Sequence, residues 1–147
     1  MPRRRKRPCI KKAPILEKKP RGIKKAEKAN IEKVSWHLRV IDRDGPFGWD
    51  NVDCKETIWE IIEKLSKFEK LMWPEILNRN NHPIHISRLC SEAKRRLKEI
   101  GQEDIDELIS FRLNGKKRLW GIRELNVLKI LWWDPNHLVC LSPQRHT

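Results

Sequence analysis

The spacing of apolar residues changes register three times along this chain, and each change predicts a different element. Val34, Trp36, Leu38 and Val40 alternate with polar neighbours, which predicts a half-buried strand over 34–41. Asp44-Gly45-Pro46 breaks it. Ile58, Ile61, Ile62, Leu65, Phe68 and Met72 then recur at helical spacing. The preceding Asp53-x-x-Glu56 has the form of a capping box, so a helix is expected from there to about Leu71, ended or kinked by Trp73-Pro74. Asn78 to Pro83 reads as loop. Ile86, Leu89, Cys90, Ala93, Leu97 and Ile100 mark a second amphipathic helix that stops at Gly101, with Arg88, Lys94, Arg95 and Lys98 outside.

From Leu108 the period becomes two. Strands are expected over Leu108–Leu113, Lys117–Arg123 and Val127–Trp133. Asn114-Gly115 is a strong hairpin signal, and a second tight turn falls near Glu124–Asn126. After the Asp134-Pro135-Asn136 turn, His137–Leu141 is a candidate short last strand. The order β-α-α-β-β-β predicts an α+β fold, one antiparallel sheet of four to five strands with two helices packed on one face.

Alternation also assigns faces. Ile109, Phe111 and Leu113 oppose Ser110 and Arg112, and Trp120, Ile122 and Arg118 oppose Leu119, Gly121 and Arg123. Leu128, Ile130 and Trp132 oppose Lys129, Leu131 and Trp133. A core of Phe111, Ile122, Ile130 and Trp132 follows, against the helix carrying Ile58, Ile61 and Leu65. The other face would then present Arg112, Arg123 and Lys129 around Trp133, a surface suited to a nucleic-acid backbone and an unstacked base.

Charge alters this picture at one end. Of the 147 residues, positions 1–33 hold 14 Lys/Arg and 3 Glu, most of the net +13. Pro8, Pro14 and Pro20 interrupt this segment, and its charge forbids a core. It is expected to be a disordered basic arm in which Arg3, Arg4 and Arg5 anchor nucleic acid or ribosome. Residues 34–147 then form a single domain. No apolar run is long enough to span a membrane, and the basic start lacks the apolar stretch of a secretory signal. Four scattered Cys point to a reducing, cytoplasmic setting rather than a disulfide framework.

The chemistry-bearing residues narrow the function classes. No glycine-rich phosphate loop and no Gly-x-Ser-x-Gly elbow is present. The chain has no Tyr at all. His82-x-x-His85 with Cys90, and His137-x-x-Cys140 with His146, offer metal-type ligands but match no zinc spacing, so no metal and no other cofactor is expected.

The run Leu113-Asn114-Gly115-Lys116-Lys117-Arg118-Leu119-Trp120-Gly121-Ile122-Arg123, followed by the apolar Val127–Trp133, resembles the RelE/ParE superfamily of bacterial toxins. Members carry a short turn, an Arg-bearing strand and a further apolar strand. The resemblance extends in topology from about Val34 to the end and in pattern over the last 40 or so residues. It implies a RelE-like toxin: a metal-independent endoribonuclease that cleaves mRNA, commonly on the ribosome, and is held in check by a cognate antitoxin. On that resemblance Arg118 takes the place of the strand arginine. Arg145 and His146 take those of the late arginine and terminal general acid, with His137 in reserve. Lys116, Lys117, Arg112, Arg123, Lys129 and Trp133 would hold the RNA. The alternative is a noncatalytic nucleic-acid-binding protein, or a ParE-like gyrase inhibitor encoded on a mobile element. A nuclease needs cations and a proton donor at one phosphate; a binder needs only the patch.

Overall fold

The computed structural model describes residues 31–141. The expectations for the arm, for Arg3, Arg4 and Arg5, and for Arg145 and His146 fall outside them. Strand β1 (Ser35–His37) is followed by helix α1 (Lys55–Phe68) and the short α2 (Trp73–Ile76). Strand β2 (Asn81–His85), helix α3 (Ser91–Glu99) and strands β3 (Glu107–Arg112), β4 (Arg118–Glu124) and β5 (Val127–Asp134) complete the order. The fold is α+β with one open five-stranded sheet, ordered β1-β5-β4-β3-β2. No helix among the described residues is long and apolar enough to cross a membrane.

The sheet is mixed rather than antiparallel, because β1 pairs with β5 in parallel (Ser35 opposite Val127, His37 opposite Lys129). The chain between β1 and β5 is long enough for such a crossover, whereas the hairpin-linked β3, β4 and β5 stay antiparallel. Strand β2 lies where a loop was expected. Pro83 masks it in the sequence, and β2 is an edge strand, where a missing N–H is tolerated. Asp53 does not cap α1; Cys54 holds that position, with its thiol 3.2 Å from the Thr57 hydroxyl and no side-chain bond to a helix N–H. No strand forms over His137–Leu141, which is loop.

The helices do not share one face. Leu65 and Phe68 of α1 and Trp73 and Ile76 of α2 pack with Ile109, Phe111, Leu119, Leu128 and Ile130. Ala93 and Leu97 of α3 pack on the opposite side, with Leu108, Trp120, Ile122, Leu131 and Trp132. The expected core therefore divides: Phe111 and Ile130 belong to the α1 face, Ile122 and Trp132 to the α3 face. Two features cause this. Phe111 pairs with Leu119, not with Ile122. In β5, Trp132 faces Trp120 and Ile130 faces Gly121, so Leu131 is an extra residue. Such a bulge reverses alternation beyond it, and Leu131 and Trp132 both turn toward α3. Its carbonyl is satisfied by the Asp42 N–H at 3.1 Å and the Trp49 Nε1–H at 3.2 Å. Opposite the bulge, a Cβ on Gly121 would meet Leu128 Cγ at 2.7 Å and the Lys129 carbonyl at 2.8 Å, so glycine is required there.

Asp42 ties the α3 layer to the sheet. Its carboxylate accepts from Arg96 Nη2 at 2.7 Å, Arg96 Nε at 2.9 Å and Trp132 Nε1 at 2.9 Å. Burial alone would raise this carboxyl. The Arg96 hydrogen bonds, the Trp132 indole and the Arg96 charge outweigh burial and leave its pKa below the ordinary value.

Candidate functional site

Strand pairing aligns side chains in rows on the α3 face. His82 lies opposite Ser110, Ser110 opposite Trp120, and Trp120 opposite Trp132. One row further along, Arg112 lies opposite Arg118 and Arg118 opposite Asp134. The apolar core under α3 thus gives way, within two residues along each strand, to hydroxyl, imidazole and guanidinium groups. Of these residues, His82, Ser110, Trp120, Arg112 and Arg118 line a cavity of about 190 Å³. Arg79 and Asn80 close it from the segment entering β2, Arg88 from the turn before α3, and His137 and Cys140 from the loop after β5.

The cavity is strongly cationic. Among the described residues, none of Arg79, Arg88, Arg112 or Arg118 has a carboxylate within 4.0 Å. Arg118 Nη1 donates to the carbonyls of Gly115 at 2.7 Å and Lys117 at 3.1 Å, and Arg112 Nη1 reaches Asn80 Oδ1 at 3.4 Å. Burial, and then the charge of Arg112, pull the Arg118 pKa down; Asp134 opposes them. Like charges held together in this way gain energy from any anion placed between them. Guanidinium forks fit phosphate oxygens in pairs.

Asp134, at the end of β5, is buried and organises the loop that follows. It accepts from Trp120 Nε1 at 3.2 Å, the Leu138 N–H at 2.9 Å and the Val139 N–H at 3.0 Å. His137 sits inside that loop at φ 57°, a left-handed conformation that costs a non-glycine residue about 1–2 kcal/mol. Two N–H bonds to Asp134, from Leu138 and Val139, hold the loop in this shape. Burial first, and the Arg118 charge second, lower the His137 pKa, with Asp134 opposing. Its imidazole is therefore neutral at pH 7 and free to accept a proton. Burial raises the Cys140 thiol, which disfavours its thiolate. His82 Nδ1 is buried without a hydrogen-bond partner.

Three of the expected site residues come together here: Arg112, Arg118 and His137. The rest of the described ones do not. Arg123 lies on the α1 face, 4.5 Å over the Trp73 ring, because an odd separation from Arg118 along one strand puts it on the other side. Lys117 pairs with Glu60 of α1 at 3.0 Å, and Lys129 pairs with Glu124. Trp133 is buried, its ring 6.3 Å from that of Trp49, so no base can stack on it. Lys116 is exposed in the β3–β4 turn and does not line the cavity. The first metal-type set is divided, because His85 Nδ1 accepts from the Ser87 N–H at 3.1 Å while His82 lines the cavity; His137 and Cys140 of the second set line that cavity together. No three His, Cys, Asp or Glu side chains among the described residues group as metal ligands do.

The cavity also takes in Arg79, Asn80, His82, Arg88 and Ser110, which the sequence does not point to as members of one nucleic-acid site. The place of His82 is legible in the alternation of Asn81, Pro83 and His85 against His82 and Ile84, although Pro83 also has the character of a loop residue. Arg79 and Arg88 carry no such signal, since one comes from the segment before β2 and the other from the single helical turn Ile86–Arg88. Family models, curated proteins and solved structures yield no match to this chain.

Proposed function

We propose that this protein is a metal-independent endoribonuclease of RelE-like type that cleaves mRNA at the arginine-lined cavity of the α3 face. The reading is supported above all by the four guanidiniums without a carboxylate partner and the neutral His137 that line one cavity. A divalent cation wants several carboxylate or carbonyl oxygens, and this donor set is the reverse. A phosphodiester suits it. Arg112 and Arg118 hold the nonbridging oxygens and stabilise the charge that builds on phosphorus in the transition state. His137 takes the proton of the RNA 2′-hydroxyl, whose oxygen attacks the adjacent phosphorus. The products are a 2′,3′-cyclic phosphate and a 5′-hydroxyl. An acidic segment of a cognate antitoxin, binding the same cations in a cytoplasmic complex, would silence the site.

The test is incubation of the purified full chain with RNA, free and on ribosomes, in EDTA. Cleavage with 2′,3′-cyclic ends is expected, and it should fall at least 100-fold in Arg118→Ala with the thermal transition preserved. A folded wild-type protein that binds RNA but cuts neither substrate overturns the nuclease reading and leaves a binding protein.

A further inference from the structure

We propose that His82 is a second catalytic imidazole of this cavity, the general acid that protonates the leaving 5′-oxygen of RNA. This rests on the nuclease reading above. Three observations support it.

The first is position. His82 is fixed by the β2–β3 ladder opposite the buried Ser110, one row from Arg112 and Arg118, and its ring lines the same cavity as His137. The two imidazoles come from different elements, an edge strand and the loop after β5. That arrangement can flank a bound phosphodiester.

The second is the state of its nitrogens. Nδ1 is buried and has no partner. Nε2 has no protein partner among the described residues either, and it is not sealed from solvent. Structural histidines normally spend at least one ring nitrogen on a backbone or side-chain group, as His85 does with Ser87. A half-buried imidazole with no structural bond, facing a polar cavity, is left for a ligand.

The third is the charge around it. The groups lining the cavity with His82 are Arg79, Arg88, Arg112, Arg118, His137 and the protonated thiol of Cys140. None of them carries negative charge. A phosphodiester placed in this cavity adds the negative charge that its lining lacks. His137, buried beside Arg118, remains the base.

The step balances. His137 accepts the 2′-hydroxyl proton as the 2′-oxygen–phosphorus bond forms. The phosphorus–5′-oxygen bond breaks, and His82 gives its proton to that oxygen. Solvent then returns both rings to their starting states.

The experiment compares wild type, His82→Ala, His82→Gln and His146→Ala on an RNA dinucleotide and on its analogue with sulfur in place of the bridging 5′-oxygen. Thiolate leaves without protonation, so only loss of a general acid is rescued by the sulfur substrate. The His82 variants are expected to lose roughly 100- to 10,000-fold on the oxygen substrate and to regain near wild-type rates on the sulfur one. Equal loss on both substrates means a structural role and overturns the proposal, as does rescue confined to His146→Ala. A wild type that cleaves while His82→Ala is unaffected overturns this proposal but leaves the nuclease reading standing; a wild type inactive on RNA removes both. Should both His82 variants fail to fold, the wild-type His82 ring resonances decide. They must move on addition of a 2′-deoxy dinucleotide, and unmoved resonances refute the assignment.

Discussion

Arg118 and Arg123 stand at the two ends of one strand and belong to opposite faces of the sheet. Burial lowers the pKa of both. At Arg123 the nearby Glu107 charge opposes that cost, and the guanidinium lies over Trp73 as part of a dry aromatic layer with Phe68 and Phe111. At Arg118 the next influence is the like charge of Arg112, and the Asp134 carboxylate across the ladder is bonded to Trp120 and to the loop after β5. The α1 face uses its cation to finish a core. The α3 face keeps its cations under tension at the end of the sheet that α3 leaves uncovered. A cation that packing has satisfied is structural; one that packing has left against its own kind is available to an anion.

The sharpest way to break this comparison is at His137 and Arg118. His137→Ala is expected to lower RNA cleavage by about 100- to 10,000-fold. Because the His137 pKa lies below its ordinary value, wild-type activity should persist below pH 6.5 and fall only as that imidazole protonates. A rate–pH profile checks this, and a fall centred above 6.5 contradicts it. Arg118→Ala should cost about 100- to 1,000-fold at unchanged thermal stability. Arg123→Ala should leave cleavage intact and lower stability by about 0.5–2 kcal/mol, measured by urea unfolding. A reversed pattern would mean the two faces have been assigned the wrong way round.

The frame beneath the cavity can be tested next. Asp42→Ala removes the acceptor for Arg96 and Trp132 and should destabilise the fold by about 2–4 kcal/mol. The folded pKa of Asp42 is depressed, so its contribution is complete above the unfolded value near 3.9. It is lost as pH falls through the folded value. Acid unfolding of Asp42→Asn should therefore depend less steeply on pH below 4 than that of the wild type. Gly121→Ala should cost about 1–3 kcal/mol by forcing Leu128 and the Lys129 carbonyl away from β4.

The smallest effect is expected from the arm. Lys33 bridges to Met72, so a deletion should stop at residue 30, which still removes 13 Lys/Arg. RNA binding should weaken, and its log–log salt slope should flatten by about 0.7 for each phosphate that the shortened chain no longer neutralises. Cleavage of a dinucleotide, too short to meet the arm and the cavity together, should not change. Equal salt slopes for the full and shortened chains would show that the arm is not an anchor.

Period and turn chemistry in the sequence are local properties, and they determined the local results. The helical stripe of Ile58 to Phe68, the alternation through β3, β4 and β5 and the Asn114-Gly115 turn are all readable because each depends on residues a few positions apart. Strand parity also placed Arg118 with Trp120 and Ile122, away from Arg123. The tertiary structure decided what parity cannot: which strand pairs with which, in what register, and what covers each face. The parallel β1–β5 pairing, the bulge at Leu131 and the placement of α3 opposite α1 all depend on partners far apart in the chain. The cavity was invisible for the same reason. Arg79, His82, Arg88, Ser110, Arg112, Arg118 and His137 span nearly sixty positions. They become neighbours only when β2 pairs with β3, β3 with β4, and Asp134 folds the last loop back over the sheet.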